Sequence, residues 1–207
     1  MNNGKLIIIS GPSGSGKDTV MAEVFKAHPE IRLSISSITR AMREGEVQDE
    51  KYHFISREEF ETALDNGEML EHNVYLGNYY GTPKAPVDKA IMEDADIIIE
   101  VDINGANNIK KIYPDAISIF IMPPSFEVLK QRLSGRGTES EEQIKGRLNI
   151  AVGEIAKATD YEYIVINDNL QDAVNDVISI IVSNRSKKER KINIINEVLK
   201  DAESCNR

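Results

Sequence analysis

The chain contains no tryptophan and only one cysteine among its 207 residues, so no disulfide can form within it. That cysteine, Cys205, lies in a polar tail and is expected to be an inert thiol. No apolar run approaches the length of a membrane-spanning helix. The N-terminus also lacks the basic start and long apolar core of a signal peptide. These absences predict a cytoplasmic protein.

Basic residues are in deficit, because 25 lysines and arginines stand against 34 aspartates and glutamates, for a net charge of -9. This balance opposes general binding to a nucleic-acid backbone or an anionic membrane. We therefore expect neither nucleic acid nor a membrane as a partner. Any phosphate-bearing ligand must meet a locally concentrated set of basic groups.

The sequence does have the pattern of an α/β fold. Hydrophobic residues make up 41% and charged residues 29%, which is typical of a soluble globular domain. Apolar runs without alternation at residues 6–9, 96–102 and 117–122 are typical of parallel strands covered on both faces. Helical segments separate these runs, and a further strand is predicted at 163–166. The alternation predicts one domain with a parallel sheet core flanked by helices.

A glycine-rich turn follows the first strand and leads into a helix. Its residues are Gly11, Pro12, Ser13, Gly14, Ser15, Gly16, Lys17, Asp18 and Thr19. Three glycines let the backbone approach a ligand closely, and the N–H groups at the start of the helix surround an anion. Lys17 adds a cation suited to nucleotide phosphates. The turn therefore predicts a phosphate-binding P-loop, although an ordinary glycine turn before a helix is the simpler alternative.

Asp18 departs from the P-loop pattern, which has serine or threonine after the lysine. The hydroxyl at that position normally helps to hold Mg²⁺. Three alternatives stay open: Thr19 substitutes for it, the Asp18 carboxylate substitutes for it, or metal binding is altered.

Residues 35–83 form a polar, strand-rich insertion into the α/β pattern. Residues 31–38 alternate well enough to predict one continuous strand. A capping box beginning at Ser56 predicts a helix to about Asn66. Short strands are expected at 69–76 and at the pair Tyr79-Tyr80, joined by a turn at Gly77-Asn78.

The region after Pro124 is predicted to be helical. One helix runs from Phe126 to Leu133, and a capping box at Ser140 opens a longer one. The longer helix has an apolar stripe made of Ile144, Leu148, Ala151, Val152 and Ile155. A terminal helix in residues 186–207 has a second stripe, made of Ile192, Ile195, Leu199 and Ala202. That terminal helix either docks on the domain or pairs with a partner, so the chain is a monomer or a homodimer.

The insertion and the strand ends contain the side chains that can recognise a second ligand. Arg40 and Arg43 can each bind a phosphate or a carboxylate with two hydrogen bonds, although either can also be a solvated surface residue. Hydroxyl groups in the same segment belong to Ser36, Tyr52, Tyr80 and Thr82.

Two carboxylates, Glu71 and Asp102, stand beside apolar strands. Asp102 is at the carboxyl edge of the sheet, where ligands of α/β proteins bind. Guanine offers two adjacent donors, N1–H and the N2 amino group, and a carboxylate can accept from both. Because adenine lacks this pair, Glu71 and Asp102 favour guanine, unless they are plain surface carboxylates.

Three arginines of the helical region, Arg132, Arg136 and Arg147, can cover charge moving between two phosphates. A segment that closes with them over the site would also exclude water. The alternative is that they form surface ion pairs with neighbouring glutamates.

Many ordered segments of the chain match one known pattern. They are Gly11-Pro12-Ser13-Gly14, Ser36 through Arg43 with Glu44-Gly45-Glu46, Tyr52-His53-Phe54, Gly77 through Pro83, Asp102 with Gly105, Pro123-Pro124-Ser125, Arg132-Leu133, Gly135 through Thr138 and Val165 through Asp168. In these segments the sequence resembles the guanylate kinase family, from about residue 6 to about residue 168.

The resemblance implies an enzyme that transfers the γ-phosphoryl group of ATP to GMP with Mg²⁺, giving ADP and GDP. The implied fold is a P-loop kinase with a parallel sheet core (about 4–34, 84–125 and 159–185), a mixed α/β GMP-binding region (about 35–83) and a helical lid (about 126–158). The C-terminal helix (about 186–207) completes a single domain of residues 1–207.

The resemblance also implies a role for each matching residue. The catalytic residues are Lys17, Arg43, Arg136 and Arg147. GMP is bound by Ser36, Arg40, Arg43, Tyr52, Glu71, Tyr80, Thr82 and Asp102. ATP, the co-substrate, is bound by Gly11 through Thr19 together with Arg132, Arg136 and Asn167. Mg²⁺ is held directly or through water by Asp18, Thr19 and Glu100.

Three residues depart from the family pattern. They are Asp18, Met42 in place of a common proline, and His72 in place of a common aromatic residue. Two rival functions stay open. One is a non-catalytic guanylate-kinase-like module that binds proteins, and the other is a related P-loop kinase for another phosphorylated small molecule.

Overall fold

The computed structural model describes residues 4–135 and 141–205. The strands in this part of the chain are β1 (Leu6–Ser10), β2 (Arg32–Leu33), β3 (Ser36–Ile38), β4 (Tyr52–Phe54), β5 (Met69–Tyr75), β6 (Asn78–Pro83), β7 (Ile97–Glu100), β8 (Ile117–Met122) and β9 (Tyr163–Ile166). The α-helices are α1 (Lys17–Ala27), α2 (Arg57–Asp65), α3 (Lys84–Met92), α4 (Ile103–Ile112), α5 (Phe126–Ser134), α6 (Glu141–Ile155), α7 (Leu170–Asn184) and α8 (Ile192–Cys205). Short 3₁₀ turns lie at Ala158–Asp160 and Lys188–Arg190.

The core is a five-stranded parallel sheet with the order β2-β7-β1-β8-β9. All five residues of β1 are buried, because helices cover both faces of the sheet. Ile7 and Ile9 pack with residues of α1 and α7, whereas Leu6 and Ile8 pack with residues of α3 and α4. The predicted α/β architecture with a parallel sheet between helices is confirmed.

A second, four-stranded sheet has the order β4-β3-β6-β5 and lies within residues 36–83. The predicted single strand at 31–38 is wrong, because its two halves belong to different sheets. Leu33 pairs with Ile98 in the parallel sheet, whereas Ser37 pairs with Gly81 in the second sheet. Alternation along a segment indicates extended backbone but does not show that the chain crosses between sheets at residues 34–35.

A hairpin joins β5 and β6. Its turn residues are Leu76 and Gly77, with φ of 48° and 77°, and Tyr75 pairs with Asn78. Two left-handed residues are typical of the tight turns that fit the twist of a hairpin. The turn therefore lies one residue earlier than the predicted Gly77-Asn78. The capping box at Ser56 is present as predicted.

Helices α5 and α6 pack against each other through a small apolar cluster. Its buried members are Leu129, Leu133, Leu148 and Ala151. Val152 was predicted to belong to this stripe, but it is 50% exposed, because positions 144, 148, 151 and 155 already fill the inward face of α6. The predicted capping box at Ser140 lies outside the described residues.

The segment after α7 is attached at the amino edge of the sheet. The buried carboxylate of Asp96 accepts hydrogen bonds from the Lys5 backbone N–H, Arg185 Nε and Arg190 Nη2, at 3.0, 2.8 and 2.9 Å. Helix α8 follows and buries none of its residues, so its stripe is exposed. No helix within residues 4–135 or 141–205 is long and apolar enough to span a membrane.

Candidate active site

The glycine-rich turn connects β1 to α1, at the carboxyl edge of the parallel sheet. Gly16 precedes α1 in a left-handed conformation, with φ of 84°, and a Cβ added there would lie 2.4 Å from Asn167 Nδ2. A Cβ at Gly11 would lie 2.1 Å from the carbonyl oxygen of Ile121. Both positions therefore require glycine. A side chain at Gly11 would collide with β8, and one at Gly16 would collide with Asn167, just after β9.

Two side chains from distant segments hold the turn in place. The carbonyl oxygen of Ser15 accepts from Arg132 Nη1 at 3.2 Å and from Asn167 Nδ2 at 2.8 Å. Arg132 Nη2 also donates to the Asn167 carbonyl oxygen at 2.9 Å. Arg132 therefore connects α5, the end of β9 and the turn. Arg132 and Asn167, both predicted to bind ATP, thus hold the turn in position.

Four charged side chains alternate in sign beside the turn. Lys17 Nζ lies 3.3 Å from Glu100 Oε1, and Lys51 Nζ lies 3.1 Å from Asp18 Oδ2. Burial raises the pKa of Glu100, although Lys17 opposes this shift. Burial alone would raise the pKa of Asp18 as well, but Lys17 and Lys51 together lower it. The lysines therefore keep Asp18 ionised.

A cavity of about 390 Å³ opens between the two sheets, next to these charges. Its lining residues are Leu33, Ser34, Ser36, Lys51, Tyr52, Glu71, Asn73, Tyr75, Tyr80, Gly81, Glu100, Val101 and Asp102. Five of the eight residues predicted to bind GMP are in this set, namely Ser36, Tyr52, Glu71, Tyr80 and Asp102. Burial raises the pKa of Tyr52, so its hydroxyl keeps its proton at neutral pH.

The carboxylates Glu71 and Asp102 stand on one side of this cavity and are held by neighbours. Thr82 Oγ1 donates to Glu71 Oε1 at 2.6 Å, and Asn73 Nδ2 donates to Asp102 Oδ2 at 2.8 Å. Asp102 also caps α4, because its Oδ1 accepts from the Gly105 N–H at 2.8 Å. Burial raises the pKa of Glu71, and Asp102 adds to the shift.

The two arginines of the insertion have different surroundings. Arg40 Nη1 and Nη2 donate to the two carboxylate oxygens of Glu46, at 2.6 Å each, and its guanidinium lies over the rings of Tyr52 and Phe54. Arg43 is exposed, and its backbone N–H donates to Glu46 at 2.7 Å. The structure therefore places Arg40 beside Tyr52 and leaves Arg43 at the surface.

A second cavity, of about 340 Å³, lies on the other side of the P-loop. Its lining residues are Gly14, Gly16, Thr19, Arg132, Asn167, Asp168 and Leu170. Five of them, Gly14, Gly16, Thr19, Arg132 and Asn167, were predicted to bind ATP. Thr19 thus faces this cavity, whereas its neighbour Asp18 contacts Lys51.

The arginines of the predicted lid are placed unequally. Arg147 of α6 donates a hydrogen bond to the Ser13 hydroxyl, so α6 meets the exposed side of the P-loop. Pro12, which belongs to the same turn, is buried. Arg136, which was predicted to be catalytic and to bind ATP, lies outside the described residues.

Lys51 and Asn73 are among the residues of the larger cavity that the sequence did not reveal. Asn73 could have been found by alternation, because Glu71, Asn73 and Tyr75 of β5 all line the cavity. His72, one of the three departures, is absent from that lining and makes an edge contact with Tyr79. Met42, another departure, is 49% exposed.

A parallel α/β sheet with a P-loop at its carboxyl edge and an adjoining cavity is the arrangement of a P-loop nucleotide-binding protein. The family model described as "Guanylate kinase" matches residues 3–184. The chain therefore belongs to the guanylate kinase family.

Relatives and solved structures agree with this placement. A guanylate kinase of Carboxydothermus hydrogenoformans is 44% identical over 190 residues, which is 92% of this chain and 93% of the relative. One from Clostridioides difficile is 40% identical over 201 residues, 97% of this chain and 98% of the relative. The crystal structure of guanylate kinase from Anaplasma phagocytophilum superposes with a TM-score of 0.75 at 29% identity, covering 92% of this chain and 90% of that one.

Proposed function

We propose that this protein transfers the γ-phosphoryl group of ATP to GMP, giving ADP and GDP. The observation that carries the proposal is the cavity between the two sheets, because its lining combines the carboxylates Glu71 and Asp102 with the hydroxyls of Tyr52 and Tyr80 and the ammonium group of Lys51. That arrangement suits a ligand with a donor-rich base and an anionic phosphate. The P-loop, at the same edge of the sheet, supplies the site for the donor nucleotide.

Glu71 and Asp102 are the residues that read the base in this proposal. An ionised carboxylate accepts hydrogen bonds only, so it matches the N1–H and N2 donors of guanine. Thr82 and Asn73 orient the two carboxylates through their hydrogen bonds. Ser36, which lines the same cavity, adds a hydroxyl on the base side.

The phosphate of GMP is assigned to Tyr52, Tyr80, Arg40 and Arg43. Tyr52 and Tyr80 line the cavity, and Arg40 lies against the Tyr52 ring. Arg43 is exposed a short distance along the same loop and must approach when the nucleotide binds. Its predicted catalytic role therefore needs closure of the 35–83 region.

Phosphoryl transfer demands in-line positioning of the two nucleotides and cations over the moving charge. Lys17 begins α1, next to the expected position of the β- and γ-phosphates. Arg147 reaches the P-loop from the lid, and Arg136 is assigned to the same task by the family pattern. No general base is needed, because the attacking phosphate oxygen is already ionised at neutral pH.

The residues present fit a Mg²⁺ ion. Mg²⁺ binds through one or two carboxylates together with phosphate oxygens and water. Asp18 and Glu100 would supply two carboxylates beside the P-loop, where they pair with Lys51 and Lys17 in the absence of the ion. Thr19, the third predicted ligand, faces the second cavity instead. When bound, the ion neutralises charge on the transferring phosphates.

The test is ADP release with ATP and each of the four nucleoside monophosphates, GMP, AMP, UMP and CMP. GMP should be used far better than the other three. Equal rates would contradict the guanine assignment to Glu71 and Asp102. ADP release with none of them would favour the non-catalytic module.

Oligomeric state and location remain predictions. The exposed α8 stripe, with Ile195 at 48% and Leu199 at 57% exposure, keeps the homodimer open beside the monomer. Light scattering at working concentration distinguishes the two. The cytoplasm stays the predicted compartment, and cell fractionation tests it.

A further inference from the structure

Among the described residues that line the larger cavity, Lys51 is the single basic one. The same lining contains three carboxylates, Glu71, Glu100 and Asp102. A phosphate monoester carries close to two negative charges at neutral pH, so three nearby carboxylates repel it. An acceptor phosphate in this cavity therefore needs cations, and Lys51 is already there.

Lys51 is held by an ion pair with Asp18, a residue 33 positions earlier in the sequence. Its Nζ lies 3.1 Å from Asp18 Oδ2 and 5.9 Å from the centre of the Tyr52 ring. Asp18 belongs to the first turn of α1, so this ion pair joins the P-loop helix to the 35–83 region. An ammonium group has three N–H donors, and one bond to Asp18 leaves two for a ligand.

In the absence of ligand, Arg40 is less available than Lys51 to bind a phosphate. Both of its terminal nitrogens are bound to Glu46, whereas Lys51 Nζ is paired with one carboxylate, that of Asp18, among the residues that the structure describes. The side chains of Lys51 and Asp18 are 55% and 58% exposed, and Lys51 lines the cavity, so its ammonium group is accessible to a ligand there.

We propose that Lys51 binds the phosphate of the acceptor nucleotide, and that Asp18 acts as a positioning residue that holds Lys51 at the cavity. This inference rests on the proposed function, since it assumes GMP as the acceptor. It also gives the unusual Asp18 of the P-loop a task that does not depend on metal.

The experiment is equilibrium binding of GMP, measured by calorimetry in EDTA and without ATP. Lys51→Met should weaken GMP binding roughly 10- to 100-fold, the loss expected for a hydrogen bond between two charged groups. Binding of guanosine, which has no phosphate, should stay unchanged. Lys26→Met is the matched control, because Lys26 is another exposed lysine of an ion pair, with Glu23.

Asp18 is tested by a double-mutant cycle. Asp18→Asn should weaken GMP binding about 2- to 5-fold when Lys51 is present, as expected for an exposed ion pair. The same change should have no effect in the Lys51→Met background. Circular dichroism of each variant checks that the fold is retained.

The outcomes separate the inference from the proposed function. If the wild-type chain neither binds nor phosphorylates GMP, the proposed function is wrong. If it does both and Lys51→Met binds GMP equally well, the assignment of Lys51 is wrong. An equal loss of GMP and guanosine binding would overturn the phosphate contact. An Asp18→Asn effect that persists without Lys51, or tighter binding in that variant, would overturn the positioning role.

Discussion

Arg40 and Glu46 form a two-pronged ion pair, with both guanidinium nitrogens 2.6 Å from the carboxylate oxygens. Hydrogen bonds from Arg40 and from the Arg43 N–H lower the pKa of Glu46 to about 2. Glu46 thus occupies the donors of Arg40 that the proposed function assigns to the GMP phosphate. Binding of GMP must exchange one anion for another at Arg40.

This exchange predicts the behaviour of Glu46→Ala. Without nucleotide, the variant should melt about 2–4 °C below the wild type, because Arg40 loses this carboxylate partner. Saturating GMP should raise the melting temperature more in the variant than in the wild type, since the phosphate then replaces a missing carboxylate. Thermal unfolding with and without GMP measures both effects. Glu44→Ala, at a neighbouring exposed glutamate, is the control, and equal GMP-induced shifts in all three proteins would contradict the exchange.

Lys17 is expected to act mainly on the chemical step. Lys17→Ala should lower kcat by about 10²- to 10³-fold, the cost of removing one electrostatic donor from a transition state. KM for GMP should change much less, because the acceptor cavity is not lined by Lys17. Steady-state kinetics with ATP and GMP give both constants, and Lys26→Ala on the same helix is the control. A loss confined to KM for GMP would show that Lys17 binds the acceptor instead.

The sequence allowed the main architecture to be predicted, because local signals were strong. Residues 6–9 are apolar without alternation and form the fully buried β1, and the glycine pattern placed the P-loop and the start of α1. Strand pairing is not local. The break at residues 34–35 between the two sheets therefore could not be read from the alternation of 31–38.

The candidate site was predictable where a motif or a strand end marked it. Glu71 and Asp102 were found in this way, and the structure places both in one cavity. Lys51 was missed because its importance arises from a contact with Asp18, which is distant in sequence. An isolated lysine in a polar loop has no local signal that separates it from a solvated residue.

Glu71 should make GMP binding sensitive to acid. Burial raises the pKa of its carboxyl group, so Glu71 gains a proton at a higher pH than an ordinary glutamate. The protonated group cannot accept from both guanine donors, and KM for GMP should rise as the pH falls through that raised pKa. KM measured as the pH is lowered from neutral toward the ordinary glutamate pKa of about 4.3 tests this. The GMP phosphate also titrates near pH 6, but it does so for every variant.

Glu71→Gln separates the two titrations. The variant should have a higher KM for GMP at neutral pH, because the amide presents one acceptor and a mismatched donor to guanine. Its KM should follow only the phosphate titration as the pH falls. Identical pH profiles for the variant and the wild type would show that Glu71 does not read the base.

Asp96 should determine stability without affecting catalysis. Its carboxylate is buried and accepts hydrogen bonds from the Lys5 backbone N–H, Arg185 and Arg190. Asp96 immediately precedes β7, so it lies at the end of the sheet opposite to Glu100. Asp96→Ala leaves Arg190, whose side chain is only 8% exposed, without this buried carboxylate. The free energy of unfolding in urea should fall by about 3–5 kcal/mol, as for other broken buried ion pairs. KM for GMP should stay unchanged, and Asp115→Ala at an exposed site should alter neither quantity.

Since the same carboxylate fixes the residues that precede α8, the variant should also expose the segment after α7 to protease earlier than the rest of the chain. Uniform cleavage, or an unchanged free energy of unfolding, would mean that this cluster does not anchor the C-terminal segment.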